Sequence, residues 1–260
     1  MMAKGKRWGA LLAASLAFAA STSASAETIK IGTEGAYPPF NYYTADGQLA
    51  GFDIEIGKAL CSEMKVECEF VAQDWDGIIP ALLAGKYDMI LASMFITEAR
   101  KEQVSFSAPY QASAMTFVVD KNSGIKDVSP KAMKGLIIGA QSSTTQAEYL
   151  LANYPESDVR LYPTQDAVNL DLASGRIDAQ AGDIMPMTDW LSSDDGACCH
   201  KAGDLITDSK YVGDGVGIAL RKEDDALRQR VNQALANIIK DGTYQKINDE
   251  FFKINLLTLK

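Results

Sequence analysis

Three ionisable residues stand where they could grip the ends of a charged small molecule: Arg100 for a carboxylate, Asp183 for an ammonium group, and Glu34 for a further cation. That is the chemistry of binding, because the groups that bond making and breaking would need are missing. The one histidine, His200, adjoins Cys198 and Cys199, and there is no glycine-rich phosphate loop and no cluster of histidines at metal-ligand spacing. A catalytic triad, a nucleotide site and a zinc hydrolase are therefore unsupported. Taken singly, the residues also have plainer readings. Glu34 is equally a solvated loop carboxylate and Tyr37 a packing residue, while Ser143, Thr144 and Thr145 are equally helix caps.

The elements that must position these groups are legible around Gln73–Arg100. Trp75 leads a run in which Ile78, Ile79, Leu82 and Leu83 recur at three- and four-residue spacing, so a helix is predicted from near Asp76, with Pro80 in its first turns and Gly85 at its stop. Tyr87 to Ala92 reads as a short buried strand, and a helix feeding a strand points to an open, mostly parallel sheet. Ligands in such sheets sit beyond the carboxyl ends of the strands, here at Ala92, Ser93, Met94, Phe95 and on to Arg100. Glu34 and Tyr37 follow the strand of ETIKIGT in the same way, in a loop whose prolines stop helix and internal strand, and Asp53 opens the next helix. In LIIGAQSSTTQAEYLL, Ser143, Thr144 and Thr145 fall at a helix N-terminus, where free amides suit an anion. Ile79–Ser93 is echoed by Val168–Asp183, each a helix, a glycine, an aspartate and a strand, which predicts two similar α/β lobes.

The chain begins with Lys4, Lys6 and Arg7, an apolar stretch from Trp8 to Ala20, and small residues ending at Ala26, as a cleaved secretory signal does. Its apolar stretch is shorter than the roughly 20 residues that span a bilayer. Losing three basic residues takes the formal charge from -9 to -12, which argues against nucleic acid and suits cationic small molecules. Cys61 and Cys68 are spaced to close a small loop, and in an oxidising compartment a disulfide is expected. For Cys198 and Cys199 three readings stay open: a disulfide between neighbours, two thiols, or a metal site, although metals usually need three or four ligands.

The segments EGAYPPFNY, GFDIEIGKAL, DWDGIIPALLAGKYDMI, SMFITEAR, FSAPY, QSSTTQ, GVGIAL and DGTYQKI, with the Cys61/Cys68 pair, come in an order that resembles the polar amino-acid-binding proteins of bacterial ABC importers. The likeness is greatest to the lysine/arginine/ornithine- and histidine-binding group and to the opine binders. It implies an α/β fold of the type II periplasmic binding proteins: two lobes joined by two crossing strands, near Tyr110–Phe117 and Ser209–Ile218, that close on the ligand. The lobes would be 27–112 plus 214–260 and 113–213, after a signal peptide over 1–26. By the same resemblance Trp75 stacks on the ligand's side chain opposite Tyr37, Arg100 clamps the α-carboxylate, and Ser93 with the Thr144 and Thr145 amides adds contacts. Asp183 takes the α-ammonium, and Glu34 and Asp53 lie near the distal cation. Phe95 departs from the family's Ser or Thr, Ala92 from its Ser, and the SSTTQ loop is one residue longer. The implied protein is a monomeric periplasmic receptor, without cofactor, metal or catalysis, that delivers a cationic amino acid or arginine-derived opine to an inner-membrane permease. Histidine or a polar neutral ligand, and a dehydratase of the same fold, are the alternatives.

Overall fold

A computed structural model gives the fold of residues 1–2 and 27–258. The export signal expected over 1–26 lies outside the described residues, apart from Met1 and Met2. No helix among the described residues is long and apolar enough to cross a membrane.

Two five-stranded sheets of the same design carry the structure. In the first the order is Glu67–Ala72, Thr28–Thr33, Met89–Ile90, Ala219–Leu220, Ser105–Phe106; in the second it is Asp158–Tyr162, Ile137–Gln141, Ala179–Asp183, Met115–Asp120, Cys199–Ile206. The first three strands of each run parallel, and the fourth is antiparallel to both its neighbours. In both sheets that fourth strand is the one reached by a chain arriving from the other lobe. The crossings are tied together at Val216, which bridges to Gln111 and Phe95. Only glycine fits beside them at 213, where φ is +56° and a Cβ would fall 1.7 Å from the Ile96 carbonyl oxygen.

The internal echo is a repeated device. Helix Ile78–Leu83 ends before Gly85 at φ +73°, and helix Gln165–Ala173 before Gly175 at φ +68°. The aspartate three residues on then locks the next strand to its neighbour. Asp88 accepts the Lys30 amide at 2.9 Å and Asp178 the Ile137 amide at 2.8 Å. Each aspartate amide donates back to the same residue's carbonyl, at 2.9 Å in both lobes. Apolar faces close over both sheets: Ile31, Phe52, Leu60, Val231 and Leu235 in one lobe, Phe117, Ile138, Leu150 and Ala179 in the other, all 2% exposed or less. Phe52 is the hub of the first, packed edge-on against Phe40, Tyr244 and Phe252.

Some expected boundaries move. The strand expected over 87–92 is only Met89–Ile90, because the chain turns at Ser93, a non-glycine residue at φ +50°. The loop over 34–43 contains two short strands, Ala36–Tyr37 and Asn41–Tyr43, which pair across the prolines since neither proline lies within them. Cys61 and Cys68 are bridged, and so are the adjacent Cys198 and Cys199.

Candidate functional site

The carboxyl ends of the strands in both lobes face one cavity of about 360 Å³ of empty space. From the first lobe it is lined by Glu34, Tyr37, Trp75, Ala92, Ser93, Phe95 and Arg100, and from the second by Gln141, Thr144, Thr145, Gln146, Gln165 and Asp183. Each group arrives by a simple local rule. Glu34 directly follows strand Thr28–Thr33, Asp183 ends strand Ala179–Asp183, and Arg100 sits in a short helix, Glu98–Lys101, capped by the Thr97 hydroxyl. Thr144 caps helix Thr145–Asn153, its hydroxyl accepting the Ala147 amide at 3.2 Å. The amides of Thr145 and Gln146 are thereby left at the cavity without intrahelical acceptors.

Three buried charges define the electrostatics. Arg100 is 8% exposed, and among the described residues its guanidinium makes one hydrogen bond, from Nη1 to the Phe95 carbonyl at 3.1 Å, and no ion pair. Burial pulls its pKa down to about 10, opposed by Glu148 and Asp183. It also lies 5.4 Å from the Trp75 ring centroid, over the indole face. Asp183 accepts hydrogen bonds from the Tyr37 hydroxyl, at 2.7 Å, and from the Gln146 amide. Burial pushes its pKa up to about 7 in spite of both donors and Arg100. Glu34, 9% exposed, accepts the Gln141 amide at 2.6 Å, and burial raises it too to about 7, with Asp166, Asp74 and Asp76 adding to the rise. A buried charge without a partner is costly, so a cavity with one lone cation and two lone carboxylates is built for a ligand that completes the pairs. Thr145 adds a buried hydroxyl with no hydrogen-bond partner.

The lobes touch each other directly around the cavity. Besides Tyr37 to Asp183 and Gln141 to Glu34, the Trp75 indole Nε1 donates to the Ser143 carbonyl at 3.0 Å, and the Ser142 hydroxyl reaches both oxygens of Asp76, at 2.8 and 3.0 Å.

Three of the residues expected in the site stand outside the lining. Asp53 is fully buried beneath it, where its carboxylate accepts from Tyr110 at 2.7 Å, Asn41 at 2.9 Å and Ser93 at 3.1 Å. With its oxygens so occupied it supports Ser93 from below and does not face a distal cation. Met94 points into the apolar core with Ile78, Leu82 and Tyr87. Ser143 is an exposed residue at φ +55° whose carbonyl, not its side chain, serves the site through Trp75. Conversely, Gln141, Gln146 and Gln165 line the cavity without having been singled out. The topological rule that marked Glu34 marks two of them as well, since Gln141 ends one strand and Gln165 opens the helix after another, and Gln146 lies in the first turn of the helix that Thr144 caps. Asp120, Cys198 and Cys199 cluster closely elsewhere, but both sulfurs are held in their own bridge.

Residues 29–254 match the family model described as bacterial extracellular solute-binding proteins, family 3. The chain is 41% identical over 239 residues to the L-arginine-binding protein of Pseudomonas aeruginosa, covering 90% of this chain and 92% of the relative. It is 37% identical over 254 residues to the lysine/arginine/ornithine-binding periplasmic protein of Escherichia coli K12, covering 95% and 97%. Among solved structures, a Salmonella typhimurium periplasmic binding protein of high arginine specificity superposes with a TM-score of 0.82 at 31% identity, covering 88% of this chain and all of that one. An ancestral amino-acid-binding protein, described as a precursor of cyclohexadienyl dehydratase, superposes with a TM-score of 0.78 at 32% identity, covering 87% of this chain and 96% of that one. The match over nearly all the described residues and the paired lobes around one cleft agree: the chain belongs to the bacterial extracellular solute-binding proteins, family 3.

Proposed function

We propose that this protein is a periplasmic receptor of an ABC importer that captures a cationic amino acid of the arginine, lysine and ornithine type, or an opine built on arginine, and hands it to an inner-membrane permease. One observation carries it: Arg100, Asp183 and Glu34 are buried around one cavity and none has an ion-pair partner among the described residues. A ligand α-carboxylate would meet Arg100 and the Thr145 and Gln146 amides, the α-ammonium Asp183, and the side-chain cation Glu34. Trp75 would stack on the aliphatic or guanidinium part, facing Tyr37. The lobes, 27–112 plus 214–260 and 113–213, would move as bodies about the Gln111 and Val216 crossings, and the receptor would act as a monomer after cleavage at Ala26. The names borne by the relatives support the ligand class. A thermal-shift screen of amino acids tests it: a ligand at about 100 times its dissociation constant adds roughly 2.7 kcal/mol of stability. L-arginine, L-lysine or L-ornithine should raise the melting temperature, and no rise with any of them would contradict the proposal.

A further inference from the structure

The charges that face the cleft fix a stoichiometry. Arg100 is the one cation among the residues lining the cavity, against two carboxylates, Glu34 and Asp183. A ligand that neutralises all three brings one carboxylate and two cations. Free arginine, lysine and ornithine have that set of charges. An opine does not: joining the α-nitrogen of arginine to the carbon of a keto acid keeps the guanidinium and the α-carboxylate and adds a second carboxylate beside the nitrogen.

That second carboxylate would have to find a donor near Asp183, where the cavity lining offers no second cation among the described residues; the glutamine amides there are wholly or partly engaged, and the Thr145 hydroxyl and the Thr145 and Gln146 backbone amides go to the α-carboxylate in the proposed binding mode. The Gln146 amide donates to Asp183 itself. Gln141 spends its two N–H groups on Glu34 and the Pro163 carbonyl, at 2.6 and 3.2 Å. Gln165 spends its two on Asn169, at 3.2 Å, and Gln180, at 2.8 Å. Phe95, 3% exposed, offers only an apolar ring beside Arg100. Tyr37 and Gln165 also line a neighbouring, solvent-open space on the outer side of the cleft. Among the described residues its lining holds Asp166, Asp189 and Asp195 and no lysine, arginine or histidine. A substituent too long for the inner cavity therefore enters a space where every charge a carboxylate meets is a like one, and only neutral groups such as Asn169 and Ser193 could donate to it.

We infer that the site takes cationic amino acids with an unsubstituted α-ammonium group and rejects their N-carboxyalkyl derivatives, the opines. This rests on the proposed roles of Arg100 and Asp183 as the carboxylate and ammonium partners, and it narrows the ligand class by charge count.

The test is calorimetric titration of the mature protein, side by side, with L-arginine, L-lysine, L-ornithine, octopine and nopaline at neutral pH. At least one of the three amino acids binds, octopine binds at least a hundredfold more weakly than L-arginine, and nopaline, with one carboxylate more, more weakly still. Octopine within threefold of L-arginine would overturn the inference and leave the receptor assignment standing. Failure of all three amino acids would overturn both.

Discussion

Replacing Glu34 by Gln keeps the shape of the far end of the cavity and removes its charge. Glu34 is 9% exposed and, among the described residues, hydrogen-bonded only to Gln141, at 2.6 Å, so no cationic side chain among them shares it. A ligand cation placed there forms a buried charged pair, and truncating one side of such a pair costs about 2 to 5 kcal/mol. L-arginine should thus bind Glu34→Gln about 30-fold to several thousandfold more weakly in isothermal titration. Because burial holds the carboxyl near pH 7, roughly half the wild-type sites must lose a proton at neutral pH before pairing. That reduces the apparent loss by only about 0.4 kcal/mol. Neutral ligands such as glutamine should lose little or gain, since a buried amide is cheaper to hold than a buried carboxylate. Unliganded stability gives a second readout. A carboxyl whose folded pKa is raised from 4.5 to about 7 favours folding below 4.5, and that contribution is lost as pH climbs to 7. The Glu34→Gln protein should therefore gain most over wild type above pH 7. Equal losses for charged and neutral ligands, with no stability gain at pH 8, would refute the assignment of Glu34 to the distal cation.

Other substitutions reach different parts of the molecule. Arg100→Ala should abolish detectable binding of every α-amino acid, a loss of about 3 to 5 kcal/mol, while circular dichroism stays native; near-unchanged affinity would remove Arg100 from the site. Ser142→Ala deletes the bond across the lobes to Asp76 without touching the cavity lining, so stopped-flow dissociation should quicken about threefold to tenfold for all ligands alike. A change in ligand preference there would contradict a purely interlobe role. Joint replacement of Cys61 and Cys68 by alanine should lower stability by about 2 to 3 kcal/mol and leave ligand choice intact.

Much of this was legible in the sequence because both lobes obey one local rule. Gly85 with Asp88 and Gly175 with Asp178 mark the same helix stop and strand lock, and residues at or just past the strands' carboxyl ends, Glu34, Ser93 and Asp183, line the cavity. Tertiary facts stayed hidden. Asp53 has the charge and helix-start position of a ligand group, yet Tyr110 and Asn41 come from distant segments to occupy it. Ser143 acts through its carbonyl, which no side-chain pattern reports, and Met94 faces inward because the chain turns at Ser93. The three cavity glutamines carry no charge, so a search for ion partners passed over them.

If two buried carboxylates, Asp183 and Glu34, each with a pKa raised to about 7 by burial, receive the two cations of one ligand whose carboxylate Arg100 clamps, binding must displace protons from them. Calorimetric titration of L-arginine and of citrulline, its uncharged isostere, at pH 6 and pH 8 in two buffers of different ionisation enthalpy tests it most directly. L-arginine binding should release protons and tighten by roughly tenfold or more from pH 6 to pH 8, and citrulline should bind far more weakly, with a smaller pH dependence. L-arginine affinity independent of pH, with citrulline bound equally well, would contradict it.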